Sequence, residues 1–367
     1  MIISHISEAN ILAKIKEYNK IVYSDFIILC GEEAYIDYHL LIALLNKEKI
    51  KFCGGIFPKV IYNNECFKDK VLLLPVNFEQ EPTLVSGLDD GEIQIPSSLK
   101  SINSNSLFIL NDGLSNWISK FVFRLYDEIG SDHHVFGSGA GFSSFKRENC
   151  LFTHEGFFMD AAIVVPIKNQ NVQSTRHGWN PIAGPYIATK TSANLLQEIN
   201  WKPAYVICKS IIEEQENVEI GTDNYYKYAK KYPFGIYRSN SEYLIRDPVS
   251  SEDDLSIKFG AEIPSNSVLY LMKSNIQDML DAGKIACEDV FAKSDHPLFM
   301  FVADCISRTW ILNDRFNEEL NNIYQIAEQR NIPVYGVFSM GEISSSNGGL
   351  LDYHHKTIVA SIVEIDE

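Results

Sequence analysis

Two cysteines, Cys53 and Cys150, each stand near a glycine-bearing stretch, Gly54-Gly55 and Gly137-Ser138-Gly139-Ala140-Gly141. As thiolates they could ligate iron, an iron–sulfur cluster or zinc, or sense oxidation; as thiols they are ordinary small buried residues. Glycines on alternate positions offer no side chain to a neighbour, so the strand carrying Gly137, Gly139 and Gly141 lets a ligand or another backbone come close. It reads either as a site wall or as a tight strand-loop-strand connection. Arg246 ends Tyr243-Leu244-Ile245-Arg246, an otherwise apolar run in which an unpaired charge would be costly. It needs an anionic ligand such as a carboxylate, or an internal partner such as Asp247. Phosphate chemistry finds no support: there is no Gly-x-x-x-x-Gly-Lys, and the glycine run departs from Gly-x-Gly-x-x-Gly. Ser138 does not sit in a Gly-x-Ser-x-Gly elbow. The adjacent pairs His133-His134 and His354-His355 would point apart on a strand and read as surface residues.

Those residues must be positioned by a chain of 367 residues, 46% hydrophobic, long enough for two domains. A net charge of -16 without a basic stripe speaks against nucleic acid and anionic membrane as partners. The seven cysteines never form Cys-x-x-Cys, so no zinc ribbon or thioredoxin motif is written locally, and their scatter suits a reducing cytoplasm. The first residues lack the pattern of a secretory signal, and no apolar run approaches the roughly 18 residues of a membrane helix. A cytoplasmic location is expected.

The elements follow one order three times. Asp25 to Cys30 is a strand, residues 34–46 a helix, Lys51-Phe52-Cys53 a strand running into Gly54-Gly55, and Val71 to Leu74 a closing strand. Leu107 to Leu110, a helix over 114–129 capped by Asn111 or Asp112, Val135-Phe136 with its glycines, and Ala161 to Val165 repeat it. Leu298 to Val302, a helix over 315–329, Val334-Tyr335-Gly336 and Thr357 to Val363 repeat it again. Residues 78 to 105 read as a mobile surface excursion, 167 to 180 as a polar loop, and 192 to 215 as a helix interrupted at Pro203. Residues 220 to 265 suggest antiparallel strands, and a helix from about Asn275 to Ala292 leads into the third pass. The fold class is mixed α/β, two domains of repeated strand-helix-strand-strand units, with two packed sheets between helices as one form of it. The boundary is placed near residue 200, giving 1–200 and 201–367.

The motifs resemble those of a known family. Gly54-Gly55-Ile56-Phe57-Pro58, Gly137 to Val165, and His177-Gly178-Trp179 resemble the N-terminal half of FIST sensory-domain proteins. Tyr232-Pro233-Phe234-Gly235, the strand with Arg246, and Val334 to Ile343 resemble the C-terminal half. The tail departs from the pattern, with Ser344-Ser345-Ser346-Asn347 where a Gly-Pro-like turn is usual. The resemblance implies an intracellular, non-enzymatic small-ligand sensor in signal transduction. Its bacterial haem-binding subgroup implies a nitric oxide sensor that regulates a histidine kinase. On that reading His177 is the iron donor, with Trp179 as an aromatic wall, Gly139 and Gly141 leaving room, and Arg246 facing a propionate. Glu342, after Gly341, either bonds backbone amides or faces a pocket. Two alternatives stay open: a thiolate-bound iron–sulfur or zinc centre on Cys53 and Cys150, and a metal-free sensor of amino-acid-like molecules using Arg246 and Glu342.

Overall fold

The computed structural model describes residues 1–22, 24–238, 242–345 and 350–365. The chain forms two compact units that interleave in sequence. One comprises residues 1–176, 283–353 and 358–367; the other comprises 177–282 and 354–357. The mixed α/β class is as the sequence indicates.

All three repeated passes lie in the first unit, apart from His354 at the end of the last hairpin, and they share one order of elements. Strand Asp25–Gly31, helix Tyr38–Lys47 and parallel strand Phe52–Phe57 are followed by the hairpin Val60–Tyr62/Glu65–Phe67, and strand Val71–Val76 returns antiparallel beside the first. In the second pass the same parts are Ser106–Asp112, Ile118–Ile129, His134–Ala140, Leu151–Thr153/Gly156–Phe158 and Ala161–Ile167. In the third they are Pro297–Cys305, Phe316–Glu328, Val334–Ser339, Glu342–Ser345/Leu351–His354 and Ile358–Glu364. The helices start a few residues later than hydrophobic spacing suggests. Residues between strand and helix are held in turns instead: Asp112 Oδ1 accepts the Leu114 amide at 3.0 Å, and Asp37 caps its helix by accepting from Leu40 at 3.0 Å.

No pass keeps its own hairpin. The first hairpin pairs with Val334–Ser339 of the third pass, the third pairs with His134–Ala140 of the second, and the second pairs with Phe52–Phe57 of the first. A short strand completes the opposite edge of each sheet: Ile2–Ile3, Thr83–Ser86 and Asn171–Arg176. Three six-stranded sheets with one plan result. The last two edge strands correct the reading of 78 to 105 and 167 to 180 as loops. Their apolar content is low because an edge strand needs few inward residues, here Val85 in Thr83–Ser86 and none but the polar Asn171 and Ser174 in Asn171–Arg176; Phe78, Leu88, Ile93 and Leu99 anchor the rest of the first segment in the core.

The glycines have a common cause. Gly54, Gly137 and Gly336 occupy the same register, opposite Ile28, Ile109 and Val302 on the neighbouring parallel strand. A Cβ at each would run into the carbonyl oxygen of that partner residue. The strands approach too closely there for any side chain. Beside this seam Phe108, Phe136 and Phe301 meet edge to face, with centroids 5.1 to 5.9 Å apart, in the main apolar core.

The second unit is built on an antiparallel sheet. Its order is Tyr243–Arg246, Phe234–Tyr237, Val268–Lys273, Asn180–Ser192, Leu195–Ile199, Ile257–Phe259 and Pro248–Ser251, with helix Ala204–Glu216 against it. The helix expected over 192 to 215 begins only at Ala204, after Pro203, because Leu195–Ile199 is a strand.

Gly137→Ala is expected to lower unfolding stability by about 3 kcal/mol through overpacking. Gly87→Ala, where φ is +80° but nothing lies within 4 Å of the added Cβ, should cost only about 1 kcal/mol of backbone strain. Urea midpoints at unchanged slope measure both.

Candidate functional site

The strand His134–Ala140 ends at Gly141, whose amide donates to the Ile56 carbonyl at 2.8 Å. The loop beyond it is anchored at two points. Glu32 accepts from the Ser143 amide at 2.8 Å and from its hydroxyl at 2.7 Å. Arg147 donates to Asp89 and, at 3.3 Å, to Asp112. A groove of about 820 Å³ opens beside this loop, lined by Glu32, residues 34–38, Ile56, Phe142, residues 147–149, Phe157 and Met159. That volume lies in the range of small-molecule sites. None of residues 137–141 is among the lining groups; the loop that follows them contributes Phe142 and residues 147–149. Gly139 itself faces protein: its amide donates to Gly341 O at 2.7 Å and its carbonyl accepts from Met340.

Cys53 and Cys150 come into the same sheet, where strand Phe52–Phe57 pairs with Leu151–Thr153. Both are buried, and burial pushes both thiols well above their ordinary range, so they stand as neutral thiols at pH 7. Among the described residues no group of three or more His, Cys, Asp or Glu could hold a metal ion.

In the second unit, His177 Nδ1 accepts the Trp179 amide at 2.9 Å. The neutral ring then carries its proton on Nε2, and neither nitrogen offers a lone pair to iron without breaking that bond. Gly178, at φ +74°, packs so closely that a Cβ would lie 2.5 Å from Asp278 O. Trp179 is buried, donates Nε1–H to Lys356 O at 3.1 Å and lies beneath the Lys356 ammonium at 5.5 Å. This turn is filled by its own protein partners, so the residues as placed do not fit a haem with His177 as axial ligand.

Arg246 is also buried there, donating Nε–H to Glu262 O at 2.9 Å and a guanidinium N–H to Ile245 O at 3.1 Å. Asp247 pairs instead with Lys356, at 3.0 Å. His354 and His355, read from sequence as surface residues, are each only 6% exposed. Burial, then the charges of Arg246 and Lys356, hold the His355 pKa well below its usual value and keep its ring neutral. The adjacent histidines are both buried in the segment 354–357, which belongs to the second unit.

Glu342 belongs to a fully buried cluster in the first unit. Arg308 donates to Asp304 at 3.0 Å and to Glu319, and Glu342 lies near enough to raise the pKa of Asp304. Burial first, then the Glu319 carboxylate, drive the Asp304 pKa well above the ordinary 3.8. The turn before Glu342 is closed as well: Tyr353 donates to Met340 O at 2.9 Å, and a Cβ on Gly341 would collide with the Tyr353 ring. Asp304 and Arg308 escape sequence reasoning, although their i,i+4 spacing after an apolar strand is a visible signal.

Comparison with known families matches residues 25–202 to the FIST N domain and residues 206–345 to the FIST C domain. No curated protein matches the chain.

Arg308→Met should cost about 3–5 kcal/mol by stranding buried carboxylates. Asp304 has a folded pKa above its unfolded one, so its contribution to stability falls as pH rises from about 3.8 toward the folded value. Asp304→Asn removes that loss, and its stability relative to the parent should rise between pH 5 and pH 8 in urea unfolding.

Proposed function

Because this chain belongs to the FIST family, whose domains are small-ligand sensors of signalling proteins, we propose that it senses a small organic molecule without a metal centre. The observation that carries this reading is the groove of about 820 Å³ beside the loop after Gly141. It combines aromatic walls with charged groups, the composition of a ligand site. The finer reading of the resemblance, a haem-dependent nitric oxide sensor, requires an axial donor. His177 has its Nδ1 lone pair engaged by the Trp179 amide, and Cys53 and Cys150 are buried in the packed sheet of the first unit. A thiolate-bound cluster or zinc is not supported at the two cysteines, because Cys53 pairs with Thr153 whereas Cys150 meets Ile56 three residues further along the strand, and no group of three or more candidate ligands gathers among the described residues.

The metal-free alternative rests in the sequence on Arg246 and Glu342. Both are buried among protein partners, so the groove is the site that supports it. Binding rather than catalysis is part of the proposal; Glu342 shares a closed cluster with Asp304 and Arg308 rather than lining the groove. The family resemblance supports a histidine kinase or similar signalling protein as recipient of the signal. Seven cysteines, none of them in a disulfide, support a cytoplasmic setting, and no helix among the described residues is long and apolar enough to cross a membrane.

An absorption spectrum with metal analysis, followed by titration with haemin, tests this directly. The expected result is no Soret band as purified, no stoichiometric haem uptake, and identical behaviour of His177→Ala. A stoichiometric Soret band that His177→Ala shifts or abolishes would overturn it.

A further inference from the structure

Resting on the reading of the chain as a metal-free small-ligand sensor, we infer that the groove beside the Gly141 loop binds an organic ammonium ion with an apolar or planar body, held by Tyr35 and Asp37. The walls are aromatic. Tyr38 stacks on Phe157 with centroids 4.6 Å apart, and Met159 is 50% exposed. Tyr35 stands 90% exposed in the turn that leads into helix Tyr38–Lys47. An aromatic ring presented in this way offers its π face to a cation.

The charge balance points the same way. Glu32, Asp37 and Glu148 line the groove; Glu32 is paired with Lys68 at 2.9 Å and Glu148 with Lys146, whereas Asp37 is in no ion pair among the described residues, and Arg147 is the only lining cation among them. The positive charge of Arg147 is already met by two carboxylates, Asp89 and Asp112. Asp160, which donates its own amide to Asp112, adds a third carboxylate nearby. An anionic ligand would enter a negative field on a chain whose net charge is -16, whereas a cation is drawn into it. Asp37 uses only Oδ1 to cap its helix, leaving Oδ2 to face an ammonium group. The body of such a ligand lies along the aromatic wall, and its charge answers the rim.

Isothermal titration with phenethylammonium and with 3-phenylpropionate, which share a shape and differ in the sign of charge, tests the inference on the full chain. Phenethylammonium should bind and 3-phenylpropionate should not, and raising salt should weaken the binding. Tyr35→Ala and Asp37→Asn should each weaken it about fivefold or more. Both variants should fold normally, because Tyr35 packs on little and Asn caps a helix as well as Asp. Equal or tighter binding of the anion, no binding of either probe, or unchanged affinity in both variants would overturn the inference. Failure of the metal-free reading would show separately, as a stoichiometric Soret band in the absorption spectrum, whatever the two probes do.

Discussion

The close approach of two parallel strands at Gly54, Gly137 and Gly336 is the constraint on which the first unit depends. At each of these positions the neighbouring strand's carbonyl oxygen occupies the space a Cβ would need. The same residue faces a hairpin strand from another pass on its other side: Phe152 beside Gly54, Ile343 beside Gly137, Ile61 beside Gly336. A glycine there lets the second strand of each pass be central rather than marginal, with one partner from its own pass and one donated. From that follow the three equal sheets, the shared core around Phe108, Phe136 and Phe301, and the placement of the loop after Gly141 against the start of the first helix.

The polar residues divide by what surrounds them. Those of the buried clusters, Asp304 with Arg308 and Glu319 in one unit and Arg246 with His355 and Lys356 in the other, have low solvent access and engage protein groups. Burying a charge away from water is tolerable only with such partners or with a shifted pKa, and both devices are present. The groove is different in kind. Its aromatic and acidic groups remain in contact with solvent, so a ligand can exchange with water there at little cost to the fold.

Much of this plan is legible in the sequence because its signals are local. Apolar runs such as Phe26 to Cys30 and Ala161 to Val165, helical spacing and glycine punctuation define the three passes without any knowledge of their partners. The exchange of hairpins is not legible, since nothing in Val60-Ile61-Tyr62 distinguishes pairing within its own pass from pairing with Val334–Ser339. Polar edge strands such as Asn171–Arg176 lack the alternation that marks a strand with one buried face, and so read as loops. The site divides likewise. Gly141 announces a turn, and the loop it opens does form a groove wall; Tyr35 sits in no motif and gains its place only from the fold. His177, Gly178 and Trp179 stand out as a motif, but the motif is that of a tight turn, which residue types alone do not separate from a ligand cradle. The division near residue 200 follows chain order, whereas contacts group the third pass with the first two.

The donated hairpins also set a schedule for biosynthesis. Asn63, in the turn of the first hairpin, bonds through its side chain to the Val334 amide, 271 residues further along the chain. At ribosomal rates of about 5–20 residues per second, that hairpin waits roughly 15–50 s before the strand it borders exists. Through that interval Val60 and Ile61, fully buried in the finished protein, have no sheet to join. The nascent chain therefore carries an open β-edge for most of its synthesis, and the more slowly residues 64–334 are translated, the longer it depends on holdase capacity.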